Sequence, residues 1–355
     1  MKVVYQSFEG RYSDNPRALF EAWQRERPGD EHVWFADPAH LHGFPAGTTT
    51  VPPTGPEAVA ALESADLLVA NTHTDMEWQK RPGAVYLQTW HGTPLKRIHH
   101  DVLWAPEGRL ARLDLDVARW DLLISPNAES TPRMQRAFGF TGEVLETGYP
   151  RNDLLSSPDR DAVRARVRRE LGIEDGTTAV LYAPTWRDDA YFAEGRPDMV
   201  LGLDLPGLTS ALGGNHVVML RLHYLASDRL PPQEGPAVRD VSQHPDIAEL
   251  YLAADVLVTD YSSTMFDFAV TGKPLVFYTY DHARFRDEVR GFYFDLEDDA
   301  PGPVLADQGA LADVLLDLPA LQQSHGDAYA RFAERWCHLE DGAATSRVLE
   351  WLWAS

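Results

Sequence analysis

VLVTDYSSTMFDFAVTGKPLVFY, residues 256–278, sets a β-rich run, a hydroxyl-rich turn, a helical stretch and a second β-rich run one after another. The runs at 256–259 and 275–278 are short and apolar, and the stretch 264–270 between them reads as a helix. The same rhythm extends outward along the whole chain. Strands are expected at 2–8, 33–35, 67–70, 85–88, 122–125 and 144–146 in the first half, and at 179–182 and 217–222 in the second. Amphipathic helices are expected near 17–25, 56–64, 130–138, 247–253 and 308–316, with a largely helical tail over 321–353. Strands alternating with helices argue an α/β fold built on parallel sheets. A break falls around 150–175, where a Ser-Pro pair and a charged helix separate the two patterns. The expected architecture is therefore two Rossmann-like domains facing each other across a cleft. The first spans 1–155 and the second 156–330, and a helical tail at 331–355 packs back on the first.

Composition narrows the function. A chain of 355 residues with 44% hydrophobic and 24% charged residues has the profile of a globular protein with room for two cores. Its net charge of −22 opposes duplex nucleic acid as a partner, because such binding neutralises phosphates with clustered Lys and Arg. The arginine-rich stretch 160–169 is the local exception, and it reads as a solvated helix face near a domain linker. No apolar run is long enough to span a membrane. Cys337 is the single cysteine, so there is no disulfide framework and no cysteine-based zinc site. The start of the chain reads as a strand rather than a signal peptide, which points to the cytoplasm.

Ligands on open parallel sheets bind at the carboxyl ends of the strands, and four such ends carry polar motifs. Trp90-His91-Gly92-Thr93-Pro94-Leu95-Lys96 follows the run 85–88 and displays His91 at the mouth of the sheet. An imidazole there suits a general base that takes a proton from a hydroxyl; it equally suits a structural histidine bonded to a nearby carbonyl. Ala183-Pro184-Thr185-Trp186-Arg187-Asp188 follows the run 179–182, and Thr185 and Arg187 offer donors to an anion. Arg221-Leu222-His223-Tyr224 ends the run 217–222, where alternation would put Arg221 and His223 on one face. Thr259-Asp260-Tyr261-Ser262-Ser263-Thr264 brings hydroxyls and free N–H groups to a helix start, an anion site that coexists with N-capping by Ser262 or Ser263. Neither GxxxxGK[ST] nor GxGxxG occurs, which weakens ATPase and NAD readings. Asp260, Asp188 and Asp189 could hold a metal, but their spacing is not that of a metal site. The ligand that best fits four donor-rich strand ends is a diphosphate between a nucleoside and a transferable group.

In order along nearly the whole chain, these residues resemble the CDP-glycerol glycerophosphotransferase family, the teichoic acid polymerases and primases. The resemblance runs through Ser7-Phe8-Glu9-Gly10 and Ser13-Asp14-Asn15-Pro16, Gln88 to Lys96, and Gly148-Tyr149-Pro150-Arg151-Asn152-Asp153. It continues through Tyr182 to Arg187, Arg221 to Tyr224, Asp260 to Asp267, Lys273-Pro274 and Arg290-Gly291-Phe292-Tyr293. It implies a GT-B fold and a metal-independent transfer with no cofactor. The donor would be CDP-glycerol or a related CDP-polyol, held mainly by the second domain. His91 would be the catalytic base, and His223, the second catalytic residue, would help hold or neutralise the donor diphosphate. Arg221, Ser262, Ser263, Thr264 and Arg290 would hold the donor diphosphate, and Gly92, Thr93, Lys96, Thr185, Arg187 and Asp260 would complete the nucleotide and substrate contacts. A terminal hydroxyl of a teichoic-acid-like or capsular polymer, or of a lipid-linked acceptor, would attack the polyol phosphate and release CMP. Glycerol and ribitol both remain open as the polyol.

Two departures accompany the resemblance. Many members carry a long N-terminal region that helps them associate with the membrane, whereas this chain begins at the catalytic strand. The segment 97–120, with His99-His100 and several arginines, differs from the family pattern and is expected to shape acceptor access. Membrane contact is expected to be peripheral at most, at the inner face. Two competing functions share the fold: a nucleotide-sugar glycosyltransferase and a non-catalytic polymer-binding relative. The hydroxyl-rich Ser262–Thr264 loop, where a sugar transferase would place a glutamate, favours the phosphotransferase.

Overall fold

The apolar runs become the inner strands of two sheets in the computed structural model, which describes residues 1–185, 187, 201–222 and 235–354. β1 (Lys2–Gln6), β2 (Glu31–Phe35), β3 (Thr50–Val51), β4 (Leu67–Ala70), β5 (Val85–Gln88), β6 (Leu122–Ser125) and β7 (Glu143–Glu146) form one sheet in the order β3-β2-β1-β4-β5-β6-β7. β8 (Thr178–Ala183), β9 (His216–Leu220), β10 (Val238–Asp240), β11 (Val256–Thr259), β12 (Leu275–Tyr278) and β13 (Val304–Leu305) form the other, in the order β10-β9-β8-β11-β12-β13. Every strand pairing is parallel. Both strand orders reverse beside the first strand of the sheet, the point where doubly wound folds open a crevice for ligands. This is the GT-B arrangement of two Rossmann-like units.

Alternation along each strand fills a core on both faces of its sheet. Val3 and Tyr5 join Trp23, Trp34, Val69 and Leu87 on one face of the first sheet, while Val4 joins Val33, Leu68, Tyr86 and Leu123 on the other. In the second sheet Val180, Tyr182, Val218 and Val258 face one way, and Leu181, Met219 and Leu257 the other. The runs 67–70, 85–88, 122–125, 256–259 and 275–278 coincide with β4, β5, β6, β11 and β12. β3, β10 and β13 carried no strand signal. All three are edge strands of two or three residues, paired on one side only, so they need no continuous apolar run. The run 2–8 stops at Gln6 because Phe8 and Glu9 take left-handed backbone (φ 40° and 61°), which no strand can continue. The run 217–222 stops at Leu220.

The arginine-rich helix Arg160–Glu170 is not simply a solvated face. Arg164 donates to the carbonyls of Leu252, Ala253 and Ala254, and Arg168 to that of Ala253. Lys273 Nζ reaches the carbonyls of Tyr251, Leu252 and Ala254 as well. Three cations thus gather at the carboxyl end of helix Ile247–Ala253, where the unpaired carbonyls and the helix dipole favour positive charge. The last helix, Ala344–Ala354, returns to the first sheet. Asp153 accepts from the Ala344 and Thr345 N–H groups at its start, Val348 and Leu349 enter the core, and Trp353 meets Trp23 edge-on at 5.7 Å. Among the described residues no helix is long and apolar enough to cross a membrane.

Candidate active site

A cleft opens between the two sheets, lined from one side by Phe8, Asp14, His91 and Lys96 and from the other by Thr185, Arg221, His244 and Ser262 to Thr264. His91 is presented by a constrained backbone. Trp90 is left-handed (φ 52°), its N–H is held by Gln88 Oε1 at 2.9 Å, and its carbonyl accepts from Asn15 Nδ2 at 3.1 Å. Phe8 and Asp14, also left-handed, line the same wall, so backbone strain concentrates around the cleft. The imidazole stacks on the Trp90 ring at 4.3 Å and meets Phe8 edge-on. Its Nδ1 lies 2.6 Å from the Asn71 carbonyl, an acceptor only. Nδ1 therefore carries the proton and Nε2 keeps its lone pair. Burial pushes the pKa below the usual histidine range, against the pull of the Asn71 carbonyl and Asp14, while Arg151 and Lys96 lower it further. The two sequence readings of His91 are compatible here, because a carbonyl bonded at Nδ1 leaves Nε2 with its lone pair.

The opposite wall supplies donors. Arg221 Nη1 donates to the carbonyls of Val241, Ser242 and His244 at 2.8, 2.7 and 2.6 Å. Among the described residues no carboxylate pairs with it, and none accepts from its Nε or Nη2. Burial, with Arg11 adding repulsion, pushes its pKa down to about 10, so it stays charged at neutral pH. Ser262 accepts from the Thr264 N–H, and the Thr264 hydroxyl meets that of Thr259. The hydroxyls of Thr185 and Tyr251 are buried in this wall without a partner among the described residues. The acids that line the cleft among the described residues, by contrast, are all held: Asp14 and Asp267 by Arg151, and Asp246 by Arg17. An acidic protein has thus placed Arg11, Lys96 and Arg221 in a cleft whose carboxylates are neutralised, which suits an anionic ligand.

The family model for CDP-Glycerol:Poly(glycerophosphate) glycerophosphotransferase matches residues 1–354. The chain belongs to this family. It is 37% identical to the teichoic acid glycerol-phosphate transferase of Staphylococcus aureus over 98% of this chain and 92% of that one. It is 36% identical to the teichoic acid poly(glycerol phosphate) polymerase of Bacillus subtilis, again over 98% of this chain, but spans 48% of that longer protein. The structure of the wall teichoic acid polymerase TagF superposes with a TM-score of 0.88 at 34% identity, over 98% of this chain and 87% of that one. A UDP-GlcNAc 2-epimerase from Neisseria meningitidis shares the fold alone, with a TM-score of 0.57 at 12% identity.

Within this glycerophosphotransferase the expected site residues separate into three groups. His91, Lys96, Thr185, Arg221, Ser262, Ser263 and Thr264 line the cleft. Gly92 and Thr93 sit behind it: a Cβ on Gly92 would lie 2.5 Å from Ser263 Oγ, so the glycine lets the two halves touch beside His91. Arg187 and Asp260 are not among the described residues that line the cleft. Arg187 is consumed by Asp260, by a two-pronged bond to Asp281 and by the Thr185 carbonyl. Asp260 also accepts from the Thr185 and Tyr261 N–H groups, which leaves it unsuited to a metal. Arg290 likewise lies off the cleft, where its Nε donates to the Arg97 carbonyl. It belongs to a bridge between the halves, in which Arg97 N donates to Gly291 O and Tyr293 N to Leu95 O. His223, Asp188 and Asp189 lie outside the described residues.

Sequence reading passed over Arg151, Asp267 and Asp14. Arg151 binds both aspartates, at 3.2 Å to Asp14 and 2.8 Å to Asp267, and Asn152 Nδ2 adds 2.9 Å to Asp267. This buried ion cluster ties the first unit to helix Thr264–Ala269 of the second at the cleft floor. Its members were visible as quoted motif fragments, but a charge on one fragment does not disclose a partner more than a hundred residues away.

Proposed function

We propose that this chain transfers glycerol phosphate from CDP-glycerol to the terminal hydroxyl of a polyol-phosphate polymer and releases CMP. Family membership supports the reaction class, and TagF, solved with CDPG, is the structural relative that supports the donor. The observation that carries the mechanism is His91, held as the Nδ1–H tautomer on one wall, with Arg221 and the Ser262–Thr264 hydroxyls on the other. His91 Nε2 takes the proton of the acceptor hydroxyl. The oxygen attacks the phosphorus bearing glycerol, and the P–O bond to the CMP phosphate breaks. Arg221, Ser262, Ser263 and Thr264 meet the charge that grows on the departing phosphate, which lowers the barrier because they are already in place. His223 would assist, and Lys96 and Thr185 would orient the donor. We place the reaction at the cytoplasmic side of the membrane, where a lipid-linked acceptor is within reach.

CMP release from CDP-glycerol and CDP-ribitol, with and without a polyol-phosphate acceptor, tests the proposal. Acceptor-dependent release from one donor, reduced about 10³-fold by His91→Ala in a folded protein, is the expected result. The base works only when neutral, and the lowered pKa keeps it neutral at pH 7. The kcat/KM of the wild type should therefore stay flat through neutrality and fall only at a pH below the ordinary histidine range. Turnover of UDP-sugars with neither CDP donor consumed would reject the assignment.

A further inference from the structure

The segment beyond the His91 loop holds a side-chain cluster that the transfer does not use. His99 and His100 sit on the short turn His99–Asp101, and Asp114 faces them from helix Arg109–Val117. One ligand atom from each lies within 4.8 Å of the others. His99 Nε2 is 3.7 Å and His100 Nε2 is 2.7 Å from the same Asp114 oxygen. His99 Nδ1 donates to the Ala137 carbonyl at 3.2 Å, so the proton sits there and Nε2 presents a lone pair. That Nε2 is buried with no hydrogen-bond partner among the described residues, on a side chain only 1% exposed. The backbone of His99 is left-handed as well, with φ 46°. A buried, unpaired imidazole nitrogen on a strained residue, aimed at a carboxylate and a second imidazole, requires a reason.

We propose that His99, His100 and Asp114 bind one zinc ion, which staples the turn His99–Asp101 to helix Arg109–Val117. Two imidazoles and a carboxylate are zinc ligands, bonding at about 2.0–2.2 Å, so neighbouring donors around a tetrahedral ion stand roughly 3.4 Å apart. The His99–Asp114 separation is already close to that. His100 must open by less than about 1 Å, and its exposed side chain has room to do so. Imidazole donors disfavour magnesium and calcium, which take oxygen. The Ala137 carbonyl on Nδ1 is the outer partner that a ligating histidine ordinarily has. The fourth position opens to water.

The ion would lie outside the cleft and take no part in the transfer. Its place is nonetheless consequential. Asp101, on the stapled turn, accepts from the Tyr293 hydroxyl and from Arg136, next to the bridge that joins the two halves. His99 also stacks on His73, whose ring meets Trp90 edge-on, and Trp90 stacks on His91. Zinc would therefore fix the turn that supports both the bridge and the rings behind the base.

Untagged full-length protein, stripped with a chelator and dialysed, should be titrated with zinc against a chromophoric competitor. Its melting temperature should be followed with zinc and, separately, with magnesium. One zinc per chain, with a rise in melting temperature of several degrees that magnesium does not reproduce, is expected. His100→Ala, which removes an exposed side chain and leaves the core untouched, should weaken zinc at least ~30-fold and abolish the rise, and Asp114→Asn should do the same. Should Asp114→Asn fail to fold, His100→Ala decides alone. Failure of the wild type to retain zinc at micromolar concentration, or unchanged affinity in His100→Ala, overturns the site.

Discussion

Arg187 and Arg221 follow neighbouring strands of the same sheet, β8 and β9, and both are half-buried, yet they meet opposite surroundings. Arg187 has two carboxylates, with Tyr261, Tyr280 and Phe285 stacked around its guanidinium. The pair of acids drives its pKa upward despite burial. Arg221 has three carbonyls and, among the described residues, no carboxylate, and its pKa moves downward. A buried cation that already has its counter-charges is scaffold. One held only by neutral dipoles still lacks a counter-charge, and the diphosphate of a nucleotide donor would supply it. The same residue type at equivalent strand ends therefore does different work, and only the partners tell the two apart.

The sharpest way to break this contrast is to remove each arginine. Arg187→Met would strand Asp260 and Asp281 as buried, unpaired acids, at a cost of about 3–5 kcal/mol in unfolding free energy. Denaturant unfolding should show that loss, while CDP-glycerol still raises the melting temperature of whatever remains folded. Arg221→Met should invert the pattern. It leaves carbonyls short of a donor and lowers stability by about 1–2 kcal/mol, but it removes a charged contact to the leaving phosphate. We expect kcat/KM to fall about 100-fold and the donor-induced rise in melting temperature to vanish. Equal loss of donor response in both variants would erase the distinction between scaffold and receptor.

The same contrast shows where the sequence is legible. Inner strands such as β4, β5, β6, β11 and β12 are buried from both sides and announce themselves as apolar runs. β3, β10 and β13 answer to one neighbour each and have no such signature. That His91, Arg221 and Ser262–Thr264 line one cleft was legible because strand ends are where such folds open their crevice. Arg187 has the same credentials by position, and no local signal reveals that Asp281, 94 residues further on, has claimed it. The Arg151–Asp14–Asp267 cluster was missed for the same reason: motif spacing reports what is near in sequence, whereas pairing across the two halves is settled by the fold. The stretch 160–169 misled in the opposite sense, since arginines that look solvated are committed to helix carbonyls.

Thr185 offers the finest test of which polar groups belong to the ligand. Its N–H is satisfied by Asp260, but its hydroxyl is buried in the cleft wall with no partner among the described residues. An unpaired buried hydroxyl destabilises a protein unless something else completes it. Thr185→Val keeps the shape and deletes only that hydroxyl. Without ligand the variant should unfold about 1 kcal/mol later than wild type, because an unmet polar group has gone. With CDP-glycerol it should bind about fivefold more weakly, because the bond the hydroxyl makes to the donor has gone too. Opposite signs in the two measurements identify a group kept for the substrate at the expense of the fold. A loss of stability with unchanged donor affinity would place Thr185 with Arg187, as scaffold.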